Sequence, residues 1–447
     1  MTSTRPRLAM AALAGASLVA ALVVAPLQAD AADSSVQEVS RGVAIPAFYN
    51  PPATLPSADG ALIRSEPLPL GAGLTLPGVG TLPGRATRVM YKTTDAAGAP
   101  AAVTGAYIEP AAPWLSGGAR PLVVLAPGTM GQGDQCAPSL ALEHPIRFNG
   151  QTVSIGYEDI AAYRLLAEGV AVMVTDYIGL GTTDAVHTYV NRVDEGHAVL
   201  DAARAALQVP GASVDAASRV GLYGYSQGGG ATASAAELRT GYAPDVDLVG
   251  SYVGAPPVDL TAVAAGIDGS ALAAALGWTM NSLIQAYPAL APVIDRHLNA
   301  TGRAALADLA TACIGDGIAG YAFQKSSAWT SDGSSLTQVV AEEPALQAAL
   351  AAQKLGTLAP FGPVRVATGT ADDIVPHAQA RQLAVDWCAR GGDVTYAPIL
   401  LPNLGDGLLT NHLAPLLADQ TSAVAWLTAR LSGAPASSNC GALPLLP

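Results

Sequence analysis

Short apolar runs separated by longer Ala/Leu-rich stretches limit this chain to few architectures. The runs are Pro121–Ala126, Val170–Thr175, Arg219–Tyr223 and Leu248–Val253. Each is brief, nearly continuous and free of the apolar/polar alternation of a half-exposed strand, which is the pattern of strands buried on both faces of a parallel sheet. The stretches between them, Ile160–Leu166, Glu195–Gln208 and Gly229–Arg239, suit crossover helices. The class is therefore α/β, doubly wound. Half of the 447 residues are hydrophobic and 13% are charged, enough to bury one large core and an appended subdomain.

The periodicities divide the chain further. Residues 1–31 carry Arg5 and Arg7, an apolar run from Leu8 to Leu27, and Ala29-Asp-Ala31, the pattern of a signal peptide cleaved near Ala31. Residues 32–85 are rich in Pro, Gly and Leu without sustained period and predict an irregular arm. The first part of the core is expected over 86–255, opening with a hairpin at a sheet edge around Asp95. Strand signal vanishes over 256–360, where Ser270–Ile284 and Ala289–Ile314 predict an inserted helical cap. Strands return at Val364–Ala367 and Val394–Leu400, and a helix over Ala414–Leu431 closes a second core part, 361–434, ahead of a tail, 435–447.

Charge and cysteine content narrow the chemistry. Net charge is −13, and removing the leader's Arg5, Arg7 and Asp30 (net +1) leaves −14, which repels phosphate backbones. No nucleic-acid partner is expected, and no membrane span in the mature chain. Cys136, Cys313, Cys388 and Cys440 are an even set with three open pairings, none in a metal-type Cys-x-x-Cys. No His-Glu-x-x-His, P-loop or complete Gly-x-Gly-x-x-Gly occurs, so neither metal nor cofactor is expected. Asn299-Ala-Thr301 reads as a chance glycosylation pattern.

Gly224-x-Ser226-x-Gly228 is where chemistry enters. With 47 glycines the bare pattern is weak, but it lies after an expected strand and before a small-residue helix. That is the setting of a nucleophile elbow, in which a strained serine projects from the strand's C-terminal end. A serine hydroxyl needs a base oriented by a carboxylate, following in the order Ser, acid, His. Asp372 and Asp373 follow the Val364 strand, and Asp372 is preferred as first off it. Of the histidines beyond the late strands, His377 starts a helix close to the acid, whereas His412 lies in a polar loop before the last helix and is the expected base. An oxyanion needs two donors: the Gln227 N–H and one from the Gly128 loop, where Thr129 and Met130 remain equal candidates. Asp134 reads as a turn former, and Asp176 and Tyr177 are undecided.

At these residues the chain resembles the secretory lipase family. The carriers are Tyr91-Lys-Thr-Thr-Asp-Ala, Pro127-Gly-Thr-x-Gly-x-Gly-Asp-x-Cys-Ala-Pro-Ser, Asp176-Tyr-x-Gly-Leu-Gly, Gly224-Tyr-Ser-Gln-Gly-Gly and Asp372-Asp-x-Val-Pro, spread from Arg88 to Cys440. The resemblance implies an α/β-hydrolase fold with a mostly parallel central sheet and a cap over the site. It also implies lipase or esterase activity without a metal, and Ser226, Asp372 and His412 as triad. It further implies disulfides Cys136–Cys313 and Cys388–Cys440. The chain departs from the family pattern twice: seven residues follow Cys440, too few for the flap of the fungal members, and the loop Asn403–His412 is long. The resulting expectation is an exported hydrolase of small or lipid-like esters, compatible with a lipid–water interface and of open oligomeric state. An acyltransferase with the same triad is the alternative, and a noncatalytic binding protein a more distant one.

N-terminal sequencing of the exported protein should begin at Ala32. A chain that still begins at Met1 would overturn the cleavage reading.

Overall fold

The computed structural model describes residues 38–76 and 80–447; the leader read over 1–31 lies outside them. Nine strands form the main sheet: β1 (Leu62–Leu68), β2 (Gly84–Thr94), β3 (Pro100–Pro110), β4 (Leu122–Ala126), β5 (Ala171–Thr175), β6 (Val220–Tyr225), β7 (Leu248–Gly254), β8 (Pro363–Gly369) and β9 (Asp393–Ile399). Across the sheet their order is β9-β8-β7-β6-β4-β5-β3-β2-β1. Strands β4 to β9 pair in parallel. Antiparallel pairing joins β3 to β5, β2 to β3 and β1 to β2.

The apolar runs read from sequence are these inner parallel strands; β4 and β5 are buried at every residue. The longer helices are α1 (Asp159–Ala167), α2 (Arg192–Ala206), α3 (Gln227–Tyr242), α4 (Leu260–Ile267), α5 (Ala274–Ala286), α6 (Ala300–Leu309), α7 (Ile314–Tyr321), α8 (Leu336–Glu342), α9 (Pro344–Ala351), α10 (His377–Ala389) and α11 (Thr410–Leu431). After β4 the chain crosses to β5 on one side, and after β6 to β7 on the other, so connections diverge between β4 and β6. A crevice opens beyond the carboxyl ends of strands at such a switch point.

Helices α4 to α9 all lie between β7 and β8 in the chain. One apolar cluster built on Leu272, Trp278, Leu309 and Trp329 fills them and extends to Ile374, Val375 and Leu409, beside the β8 loop and the start of α11. The expected helical run Ala289–Ile314 is in fact broken. Asn299 caps α6 by accepting from the Gly302 N–H at 2.9 Å and donates to the Ala328 and Thr330 carbonyls at 3.0 and 2.8 Å. Its side chain is thus a structural tie.

Two further expectations change. Residues 32–85 are not wholly irregular, because Leu62–Leu68 joins the sheet as β1. Pro67 lies within it, and on an edge strand the missing N–H costs no ladder bond. The β2–β3 hairpin consequently lies one strand in from the edge.

Both cysteine pairs are bonded. Cys136–Cys313 closes 177 residues and Cys388–Cys440 closes 52. In the chain-entropy picture each loop closure is worth about 4–5 kcal/mol, and measured native bridges typically give 2–5. Cys136 and Cys313 are fully buried, whereas Cys388 and Cys440 are partly exposed. A mild reductant should therefore open Cys388–Cys440 first. The Cys388→Ser/Cys440→Ser pair should lose about 2–4 kcal/mol in denaturant titration; unchanged stability would contradict this.

Candidate active site

Ser226 lies between β6 and α3 with φ 59° and ψ −124°, a backbone region costly for any residue with a side chain. The crossing is so tight that only glycine fits beside it. A Cβ on Gly228 would lie 1.9 Å from the Ala126 carbonyl oxygen, and one on Gly224 2.1 Å from that of Gly228. The strand-to-helix turn thus aims the Ser226 side chain out past the end of the sheet, at the switch point.

Two side chains meet it there. His412 Nε2 lies 2.9 Å from Ser226 Oγ, and His412 Nδ1 lies 2.7 Å from Asp372 Oδ2. The other Asp372 oxygen accepts from the Ile374 and Val375 amides at 3.2 and 3.0 Å, which fixes the carboxylate in the β8 loop. His412 and Asp372 are both buried. Tyr225, next to the serine, donates its hydroxyl to the His412 carbonyl at 2.7 Å, joining elbow and histidine helix directly.

His412 is not in a loop, as its sequence setting suggested, but in the first turn of α11. The expected start at Ala414 falls about one turn late; the helix begins at Thr410 and accommodates Pro415. The long preceding loop is pinned at several points. Asn411 accepts from the Leu404 amide at 2.7 Å and donates to Asn403 Oδ1 and the Gly405 carbonyl. Asp373 takes the Gly407 amide, and the Gly407 carbonyl accepts from Ala271 at 2.7 Å. The two neighbouring aspartates therefore serve different partners: Asp372 holds the histidine and Asp373 its loop. His377 opens α10 and contacts Tyr396 Oη at 3.1 Å instead of the serine.

The loop after β4 faces the same crevice. Thr129 lines the cavity that contains Ser226 and His412, whereas Met130 packs with the Cys136–Cys313 bridge and accepts from the Ile314 amide at 2.8 Å. Gln227 is buried, its side-chain amide 2.8 Å from Glu195 Oε1 and 2.9 Å from His187 Nε2. Asp134 begins a short 3-10 turn, and burial, with Glu38 and Asp184 near, pushes it up to about 8. Asp176 is a buried acceptor for the Ser139 amide at 2.7 Å, and Tyr177 donates to the Pro127 carbonyl at 2.7 Å. Both support the loop from behind. The contact of Gln227 with Glu195 and His187 escaped sequence reading because Gln227 lies 32 and 40 residues from them in the chain.

Two apolar cavities meet at Ser226, with Leu272 lining both. One runs into the helical insertion past Gln227, Leu260, Val263, Leu276, Met280 and Val340. The other opens outward past Thr129, Tyr157, Ile160, Ile318, Leu413 and Leu417. Ile155, Ile160 and Leu417, at the outer opening, are 45%, 46% and 60% exposed.

A family model described as secretory lipase matches residues 142–439. A probable inactive lipase of Mycobacterium tuberculosis (strain CDC 1551 / Oshkosh) is 31% identical over 391 residues, 87% of this chain and 82% of that protein. Lipase 10 of Candida albicans is 28% identical over 403 residues, 88% of this chain and 82% of its own length. Among solved structures, Candida antarctica lipase A in its closed state superposes with a TM-score of 0.70 at 20% identity, over 88% of this chain and 87% of that one. The fold is thus the α/β-hydrolase fold.

Several carboxyls around the site hold their protons unusually long. Burial pushes Glu158 up to about 7 and Glu195 up to about 8, from an ordinary 4.5. Between those limits the folded chain binds more protons than the unfolded one, so stability falls as pH rises through that window. His187, pushed down to about 4 by burial, works oppositely and costs stability only as pH falls below its ordinary 6.5. With two carboxyls set against one imidazole, melting temperature should therefore decline steadily from about pH 5 to about 8.5. A steady rise across that range would contradict the assignment.

Proposed function

Since this chain belongs to the secretory lipase family, we propose that it is an exported serine hydrolase of esters with lipid-like acyl chains. The observation that carries this reading is the hydrogen-bonded line Ser226–His412–Asp372 at the mouth of two apolar cavities. His412 Nε2 takes the Ser226 proton as Oγ attacks the ester carbonyl, and Asp372 holds the imidazole in the tautomer this requires. The oxyanion forms against the Gln227 N–H and that of Thr129, favoured over Met130 because Thr129 lines the cavity. His412 then protonates the leaving alkoxide, and water deprotonated by the same nitrogen releases the acid from the acyl-enzyme.

The cavities divide the substrate. His412 lines the outer one, so the leaving alcohol sits there, within reach of the nitrogen that protonates it. The acyl chain occupies the inner cavity, whose walls are aliphatic. The exposed Ile155, Ile160 and Leu417 suit contact with a lipid–water interface. Among the described residues no helix is long and apolar enough to cross a membrane. Export is supported by the family and by the leader pattern read up to Ala31.

A second reading, a noncatalytic lipid-binding protein on this scaffold, is favoured by the relative named a probable inactive lipase. Turnover separates the two. Purified protein should hydrolyse p-nitrophenyl esters of eight- and sixteen-carbon acids faster than the two-carbon ester, and Ser226→Ala should lose at least about 10⁴-fold in kcat. Folded wild type that turns over none of these esters would overturn the hydrolase reading in favour of the binding protein.

A further inference from the structure

Two consecutive residues outside every sequence motif grip the loop that faces Ser226. Glu158 Oε1 accepts from the Gly128 N–H at 2.9 Å, and the Tyr157 hydroxyl donates to the Thr129 carbonyl at 3.0 Å. Their approach requires the glycine, because a Cβ at Gly128 would lie 2.5 Å from Tyr157 Oη and 3.2 Å from Glu158 Oε1. From behind, Tyr177 donates to the Pro127 carbonyl at 2.7 Å, and Tyr189 Oη meets Thr129 Oγ1 at 2.8 Å.

These contacts fall on particular peptide planes. The Pro127–Gly128 peptide is held at its carbonyl by Tyr177 and at its N–H by Glu158. The Thr129–Met130 peptide is held at its carbonyl by Tyr157. Between them stands the Gly128–Thr129 peptide, whose N–H has no acceptor among the described residues. Peptide units are rigid planes joined at Cα, so holding both neighbours fixes the two Cα atoms of the one between and restricts it to rotation about the line that joins them. Glu158 is buried and has no cationic partner among the described residues, an arrangement that burial alone penalises and that pushes its carboxyl up to about 7.

We propose that Tyr157 and Glu158 are positioning residues of the oxyanion hole, clamping the loop so that the Thr129 N–H faces the ester carbonyl oxygen. This rests on the hydrolase reading above. A misdirected donor costs transition-state stabilisation with little effect on substrate binding.

The experiment is steady-state kinetics on p-nitrophenyl octanoate with Tyr157→Phe, Glu158→Met and Glu158→Gln, each checked by melting temperature. Tyr157→Phe and Glu158→Met should lose about 10- to 100-fold in kcat with KM within about threefold, because a whole oxyanion donor is worth about 10²–10³. Glu158→Gln retains an acceptor for the Gly128 N–H and should stay within about fivefold of wild type. Wild-type kcat in both Tyr157→Phe and Glu158→Met, or equal damage in Glu158→Gln and Glu158→Met, would overturn the proposal. Inactive wild type would instead sink the hydrolase reading, and crystal structures then decide this one. A Gly128–Met130 backbone displaced in Glu158→Met supports the clamp, and an unmoved one overturns it.

Discussion

At Ser226 a strand, a helix and two neighbouring strands come within touching distance of one backbone. A residue with φ 59° costs about 1–3 kcal/mol and persists only where its surroundings over-determine it. Here they do: the Ser226 N–H donates to the Gly254 carbonyl at 2.9 Å, its carbonyl accepts from Gly230 at 3.0 Å, and glycines remove every Cβ that would collide with β4 or β7. Strain is held by the most deeply buried part of the sheet, which is why the serine can project from a rigid support. The same crossing sets the distance from Ser226 to the loop after β4, so the elbow also fixes where an oxyanion could be stabilised.

The helical insertion is fastened to that centre at both of its faces. Cys313, at the start of α7, bonds to Cys136 in the β4 loop, and the Gln132 amide donates to the Ala312 carbonyl at 2.9 Å. On the other side Ala271 holds Gly407, in the loop that leads to His412. The insertion therefore shapes the cavities and also braces the loops that carry Thr129 and His412. Buried carboxyls and amides such as Glu195 with Gln227 do similar work, at a cost in stability as pH rises.

Much of this was legible in the sequence where local pattern and chemistry coincide. Buried parallel strands announce themselves as unbroken apolar runs, and the glycine–serine spacing at 224–228 reflects a steric demand that only a few folds make. Edge strand β1 was hidden because Pro67 breaks the pattern without breaking the strand. The start of α11 was hidden because Pro415 resembles a helix beginning, which moved His412 out of its first turn. Tyr157 and Glu158 left no signal, since what they do depends on a glycine thirty residues earlier reaching them through the fold. Family likeness fixes the fold and the family; relatives named lipases and one named a probable inactive lipase share it, so turnover depends on the few atoms around Ser226.

The most direct test is covalent. Folded protein incubated with an alkyl fluorophosphonate and analysed by intact-mass and peptide mass spectrometry should gain one adduct, on the peptide containing Ser226, and His412→Ala should slow its formation by orders of magnitude. A folded protein that stays unmodified, or that is modified at another residue, would contradict an activated serine at the elbow.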